Sequence, residues 1–345
     1  MLGLAALGAT AEGHTSPPAP FTWFEPEASV SAEDMDRLAR GEVIVKPLPS
    51  KSAQLGVFAV TGLRQSPEIF VEWIRQISQL QRSKAVVASR RFSEPPVFSD
   101  LDGLTLDPRD LQAARECRPG RCALKLSAAE IQAIRRIADG GSDEAIQYAF
   151  RRVLFERLTA YRNGGEPAMA AAGGVFAALQ ASSPYIGRSD ARLAQWLSAP
   201  DRTPSPDVES FYYWSKEYYA SGKAVIALTQ VGITRSPHGD ASPEVAVVGK
   251  QVFASRYMNG MFTHITLVRD PDGGGTYMTY VNRAQLDVLT GFWGGLARTI
   301  INSRLKGDAA TVLRTLRNRI ESGPPKASTK LGHAPGLVFS PQSPA

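Results

Sequence analysis

Residues able to do chemistry are sparse in this chain and do not fall into reactive spacings. The four histidines, His14, His238, His264 and His333, show no paired spacing, and a zinc site built on Cys117 and Cys122 would need two further ligands. No C-x-x-C-H haem attachment site, G-x-S-x-G elbow, H-E-x-x-H pair or Asp-rich calcium loop occurs. Asp272-Gly273-Gly274-Gly275 sits between two strand patterns and lacks the Lys-Ser/Thr and following helix of a phosphate loop, so a hairpin turn is expected there. "GFWGG" (291–295) lacks dinucleotide spacing. No metal and no cofactor is therefore expected. His264, mid-strand in "MFTHITLV" with Thr263 and Thr266 beside it, reads either as a satisfied or surface histidine or as a general base facing a cavity. With no second histidine and no assignable carboxylate partner, a nucleophilic triad has little support.

Three other stretches carry site-like composition. Cys117 and Cys122 bracket Arg-Pro-Gly-Arg, a turn that brings their ends within disulfide reach if the compartment is oxidising; two reduced, partly buried thiols are the alternative. In "GKQVFASRYM" (249–258) strand alternation places Gln251, Phe253, Ser255 and Tyr257 on one face, and Lys250, Val252, Ala254 and Arg256 on the other. The first face mixes aromatic and neutral hydrogen-bonding groups, as a pocket wall orienting an amphipathic ligand would; an ordinary core with satisfied hydroxyls has the same composition. Thr229, Met278 and Tyr280 on neighbouring strands would join that wall, subject to register. "SFYYWSKEYYA" (210–220) interleaves aromatics with Lys216 and Glu217, but lacks the Arg/Lys density of a single-strand groove. Aromatic packing under a helical insert or at a cavity mouth is the simpler reading.

The elements that must hold these residues follow from periodicity. "EVIVKPL" and "AQLGVFAVTGL" read as strands, "SPEIFVEWIRQISQL" as a helix capped by Ser66 with Pro67 at its first position, and "AVVASRRF" as another strand. Between 105 and 206 the pattern is helical: Asp107-Pro108 opens one helix, Ser127 to Glu130 form a capping box, and "SDEAIQYAFRRVLFERLTAYR" points Tyr148, Val153, Leu154 and Leu158 inward. "KAVIALTQVGITRS", "EVAVVGKQVFASRYM", "MFTHITLVRD" and "GTYMTYVNR" then alternate with short turns, which predicts an antiparallel meander. From Leu286 the period becomes helical, with Leu296, Ile300, Ile301, Leu305, Val312, Leu313, Leu316 and Ile320 along one stripe. Glycines 291, 294 and 295 permit a bend and close approach to the sheet, and Phe292 and Trp293 would plug the end of the interior.

This order resembles the START-related (SRPBCC-like) lipid-binding superfamily with its helix-grip fold. The resemblance rests on "VTGLRQSPEIFVEWI" and on the terminal strand feeding a long helix, "YVNRAQLDVLTGFWGGLARTIINSRLKGDAATVLRTLRNRI", and covers about 43 to 92 and 207 to 321. It implies an α+β fold in which a curved antiparallel sheet grips the C-terminal helix over a cavity, and no fixed catalytic residues, since family members range from lipid carriers to cyclases. The departure is the all-helical insertion, a lid or a side domain. The expected organisation is a possible signal segment (1–20), a lead-in (21–42), the first half of the START-like domain (43–104), the insertion (105–206), the second half with the C-terminal helix (207–322) and a disordered tail (323–345).

Composition bounds the partners. The chain has 345 residues, and its formal net charge of +6 is spread rather than clustered, which suits peripheral contact with anionic membranes but not nucleic acid. The apolar start "MLGLAALGAT" with Ala9-Thr10-Ala11 has signal-peptide form without a basic lead, so a periplasmic or secreted location is expected, a cytoplasmic one being the alternative. The leading functional expectation is a binder or carrier of a hydrophobic small molecule such as a lipid, terpenoid or quinone. Its ligand would be held by Thr229, Gln251, Phe253, Ser255, Tyr257, Met278, Tyr280, Phe292, Trp293, Leu296 and Ile300. The alternatives are a cyclase- or hydrolase-type enzyme using His264, Tyr257 or Lys250, and a structural protein with a filled interior.

Overall fold

The structure is a computed structural model that describes residues 20–51, 53–138, 141–164, 174–198, 205–218, 222–236, 243–270, 275–290 and 294–326; the side chains of 294–297, 300 and 302–305 are outside that description. The proposed signal segment and most of the expected disordered tail lie outside the described residues.

A 3-10 turn, Thr22–Phe24, leads into α1, Ala32–Ala39. Ser31 caps α1 by accepting the Asp34 amide at 3.2 Å while the Asp34 carboxylate accepts the Ser31 amide at 3.1 Å. β1 (Ile44–Pro47) and β2 (Gln54–Leu63) follow, then α2 (Pro67–Arg75), α3 (Ile77–Leu80) and β3 (Val86–Arg91). A 3-10 turn, Phe98–Leu101, precedes α4 (Pro108–Glu116), α5 (Ala128–Ile137), α6 (Asp143–Gly164), α7 (Val175–Ala181), α8 (Tyr185–Ser189) and α9 (Ala191–Ser198). The chain then returns as β4 (Glu209–Tyr218), β5 (Ala224–Arg235), β6 (Val245–Ala254), β7 (Met258–Arg269) and β8 (Thr276–Leu286), and a turn at Asp287–Leu289 leads to α10 (Gly294–Glu321).

All eight strands form one antiparallel sheet in the order β1-β2-β8-β7-β6-β5-β4-β3. The meander β4 to β8 pairs locally, and β2 closes on β8 with Ala59 opposite Tyr280. The α+β class, the antiparallel sheet, the C-terminal helix and the inserted helical segment are as the sequence predicts.

Alternation divides the sheet into two faces. The inner face presents Ala59, Leu63, Tyr213, Val231, Val247, Ile265, Leu267 and Met278, which pack with Phe70, Trp73 and Ile74 of α2 and with Ala310, Leu313 and Ile320 of α10. Burying each such large apolar side chain contributes about 1.5–3 kcal/mol. Polar ties fix the C-terminal half of α10: Arg317 donates to Thr61 Oγ1 and Gly41 O, each at 2.9 Å, and Arg319 donates to Gln79 O at 3.0 Å. Trp73 Nε1 donates to Gly323 O at 2.8 Å and Gln79 to Lys326 O at 3.1 Å, so the first residues of the expected tail are docked.

The outer face is covered by the lead-in and the insertion. Phe21, Trp23, Phe24, Phe176, Leu179, Tyr185 and Leu193 pack on Phe58, Val248, Phe262 and Val281, while Phe150, Leu154 and Leu158 of α6 pack in one cluster with Tyr212, Trp214, Ile226 and Leu228. The insertion is therefore neither a lid nor a side domain but a second layer on the back of the sheet. Tyr212 and Trp214 lie beneath it, which explains half of the aromatic run; Phe211 and Tyr213 face the other way.

Some local expectations need correction. Tyr148 on α6 and Val312 on α10 are exposed, because each helix is covered on one side only. The helix read over 66–80 breaks at Gln76, and Ser66 occupies the cap position without a side-chain cap bond. Gly294 and Gly295 form the first turn of α10 rather than a bend within it.

Candidate functional site

The inner face changes character towards its Gln251 end, where apolar side chains give way to a polar wall. Register sets Tyr213 opposite Thr229, Thr229 opposite Gln251, and Gln251 opposite Met261; one row away, Gly249 is opposite Thr263 and Thr263 opposite Asn282. Gln81 of the segment after α3 donates to the Tyr213 hydroxyl at 2.9 Å. The Asn282 amide donates to Thr263 Oγ1 at 3.2 Å and to the Tyr280 hydroxyl at 3.4 Å. Ser215 donates to Glu217 Oε1 at 2.6 Å. Gln251 is buried, and its Oε1 has no hydrogen-bond partner among the described residues. Buried acceptors are nearly always satisfied, so this atom marks a place where something polar is wanted.

Two phenols of the wall are perturbed. Burial, and after it the nearby Glu217 charge, push the Tyr213 phenol up to about 12. Burial also raises Tyr280, and the same Glu217 charge adds to it.

The glycines probe the packing on each face. On the outer face a Cβ at Gly232 would meet Trp196 at 2.7 Å, and one at Gly260 would meet Phe176 and Val175 at 3.0 Å. On the inner face a Cβ at Gly249 would meet, among the described residues, only its strand neighbours Thr229 and Thr263, both at 3.7 Å. At Gly232 and Gly260 the back of the sheet is close-packed, at Gly62 on the same face a Cβ would meet nothing within 4 Å, and at Gly249 on the front it would meet only the two threonines among the described residues.

Of the residues expected to bind ligand, Thr229, Gln251, Met278 and Tyr280 share the inner face. Phe253 does not: a β-bulge pairs Thr229 with Gln251 but Leu228 with Phe253, leaving Val252 as the extra residue and turning Phe253 outward. There the Arg157 guanidinium stacks over its ring at 4.2 Å. Ser255 Oγ is occupied in accepting the Ile226 amide at 2.9 Å. Tyr257 sits in the β6–β7 turn at φ 62°, packed with Ala254 and Met258 at the end of the sheet. Phe292 and Trp293 lie outside the described residues; Leu296 and Ile300 lie on α10, their side chains likewise outside them. Tyr213, Ser215, Glu217, Thr263 and Asn282 were not anticipated. Alternation in "SFYYWSKEY" puts Tyr213, Ser215 and Glu217 on one face, but only register shows that it is the face of Gln251.

The candidates for acid–base chemistry lie on the other side. His264 is buried on the outer face, its Nε2 at 3.1 Å from Ser189 Oγ and its Nδ1 without a partner among the described residues. Burial pushes it down to about 3. It is a neutral packing residue beside Phe24 and Tyr185. The Lys250 ammonium lies over the Phe176 ring at 4.7 Å, also outward. Cys117 and Cys122 are joined in a disulfide with Cα atoms 4.4 Å apart. Among the described residues no group of three or more His, Cys, Asp or Glu could hold a metal, and no helix is long and apolar enough to cross a membrane. Two open surface clefts flank α2, one containing Arg64 and Arg269 and the other Glu72 and Arg75; both lie at the surface, away from the polar wall.

No protein-family model and no curated protein matches the chain. Solved structures with a distant likeness include TTHA0849 from Thermus thermophilus, 15% identical with a TM-score of 0.25 over 34% of this chain and 77% of that one. Another is the di-domain ARO/CYC BexL from the BE-7585A biosynthetic pathway, 12% identical with a TM-score of 0.24 over 88% of this chain and 95% of that one. Scores this low carry no argument, so the fold assignment rests on the strand order and registers above.

Proposed function

We propose that the protein binds a hydrophobic small molecule, of the lipid, terpenoid or quinone kind, in the space between the inner face of the sheet and α10, and carries it unchanged. The observation that carries this reading is the asymmetry of the two faces. Trp196 and Phe176 fill the hollows at Gly232 and Gly260 on the back, while on the front, among the described residues, a Cβ at Gly249 would meet only Thr229 and Thr263 at 3.7 Å and the buried Gln251 carbonyl has no partner. A ligand seated there gains about 25 cal/mol for each Å² of apolar surface it buries, enough for useful affinity without a reaction. A carrier is favoured over a cyclase or hydrolase because His264 and Lys250, the side chains on which such a reaction would draw, point into the solid outer layer.

The Cys117–Cys122 bond supports an extracytoplasmic site of action, and the net charge of +6 favours approach to anionic membranes, from which an apolar ligand would be drawn. Native mass spectrometry followed by solvent extraction tests the binding reading. A retained apolar molecule is expected, and a thermal upshift with at least one member of a lipid, terpenoid and quinone panel. Ligand-free protein with no shift across the panel would overturn it.

A further inference from the structure

β3 is the last strand of the sheet and pairs with β4 alone. The Phe92 amide donates to Tyr212 O at 2.9 Å, towards β4, so alternation turns the backbone N–H and C=O groups of Ser89 and Arg91 to the open side. Val86 is closed off by the preceding turn: its amide donates to Ser83 Oγ at 3.0 Å and its carbonyl accepts the Ser83 amide at 3.3 Å. Val87 is the extra residue of a bulge, and its side chain is 52% exposed. The charge along this edge has one sign. Between Glu72 and Glu94 the sequence holds Arg75, Arg82, Lys84, Arg90 and Arg91 and no acidic residue. Arg82, Lys84, Arg90 and Arg91 are exposed, and none of the four forms an ion pair among the described residues. Arg90 donates to Ser99 O at 3.2 Å and Arg91 to Arg75 O at 3.4 Å. Glu209 and Glu94, whose charges reach Arg91, are already paired with Arg75 and Arg162.

We propose that this edge docks an acidic segment of another protein in extended form, which adds a strand beyond β3 and sets its carboxylates against Arg82, Lys84, Arg90 and Arg91. The backbone groups of Ser89 and Arg91 supply the strand pairing, and the cations select the partner and speed its approach. A second copy of this chain fits poorly, because edge-to-edge pairing would bring both sets of cations together. Basic side chains on an edge strand deter such self-pairing, and the same charges attract a strand of opposite sign. An anionic membrane would meet the charges but leave the edge-facing backbone groups without a ladder partner, with Val87 as the exposed large apolar side chain of the strand. The surface lies at the end of the sheet and does not depend on what the inner face binds.

The test titrates the full chain with two short acetylated and amidated peptides, one alternating Glu with Val and one alternating Lys with Val, read by fluorescence anisotropy at low ionic strength. The acidic peptide should bind at least about tenfold more tightly than the basic one, and should weaken about tenfold on raising the salt from about 0.05 to about 0.5 M. Its binding should slow amide hydrogen exchange across β3. Arg82→Glu combined with Lys84→Glu should weaken it at least about tenfold. Ser89→Pro, which removes an edge-facing N–H at unchanged charge, should weaken it about fivefold. Near-ultraviolet circular dichroism checks the fold of both variants; should Ser89→Pro fail to fold, hydrogen exchange on the wild type decides the strand pairing. Absence of acidic-peptide binding, equal binding of the two peptides, or binding without slowed exchange in β3 would overturn the proposal. Capture of phosphatidylglycerol vesicles with neither peptide bound would make the edge a membrane face, and dimers abolished by Ser89→Pro would make it a self-pairing edge; either result overturns it too.

Discussion

The Asp110 carboxylate on α4 and the Arg256 guanidinium in the β6–β7 turn form an ion pair with side chains only 4% and 6% exposed. Arg256 also donates to Ala123 O at 2.9 Å, so one guanidinium ties the end of the sheet to the insertion at two points. Removing one partner of such a pair leaves a buried charge uncompensated, which outweighs the modest net worth of the pair.

Asp110→Ala should therefore lower the unfolding free energy by about 3–5 kcal/mol in urea titration. A double variant, Asp110→Leu with Arg256→Met, should recover most of that loss. If the single variant costs less than about 1 kcal/mol, the insertion is not anchored through this pair.

His264 sets an acid limit. Its pKa is held near 3 in the folded protein by burial, against 6.5 for an ordinary histidine. The unfolded chain thus takes up a proton that the folded one refuses as pH falls from about 6.5 towards about 3. Stability is full above that window and declines through it by about 1.4 kcal/mol per pH unit. His264→Gln should flatten the slope by about one proton relative to wild type between pH 6 and pH 4, read from urea midpoints. Parallel slopes would show that His264 charges freely in the folded state.

Gly232 and Gly249 make a matched pair on adjacent strands. Gly232→Ala must move the Trp196 ring, already 2.7 Å from the position of the new methyl, and should cost about 1–3 kcal/mol. Gly249→Leu should change stability by less than about 1 kcal/mol while abolishing ligand binding, because the side chain would enter the proposed binding space. Equal destabilisation by both would mean that the inner face is as full as the outer.

The Cys117–Cys122 bond closes a short loop at the end of α4, across which Arg118 and Arg121 exchange backbone hydrogen bonds at 2.9 and 3.0 Å. Loop-closure entropy for so short a ring gives about 2 kcal/mol. Replacing both cysteines by Ala should lower stability by about that amount and leave ligand binding unchanged, because the loop lies in the insertion and away from the inner face. Loss of binding in the folded variant would place the loop in the site.

Much of the architecture was legible in the residues alone. The capping box at Ser127 and Glu130, Pro67 and Pro108 at helix starts, the β-branched runs from 224 onward and the switch to a helical period after Leu286 specify elements through local backbone preferences. Short turns between consecutive strands determined the antiparallel meander for the same reason. What each face meets was decided by contacts distant in sequence. The extra residue at Val252 reverses alternation and sends Phe253 outward, a change invisible without the Thr229–Gln251 register. His264 became inert because the insertion chose the back of the sheet, and that choice depends on Tyr185 and Ser189, about eighty residues upstream. A strand's period of two says that its side chains lie on two faces; only the packed layers on either side determine what each face meets.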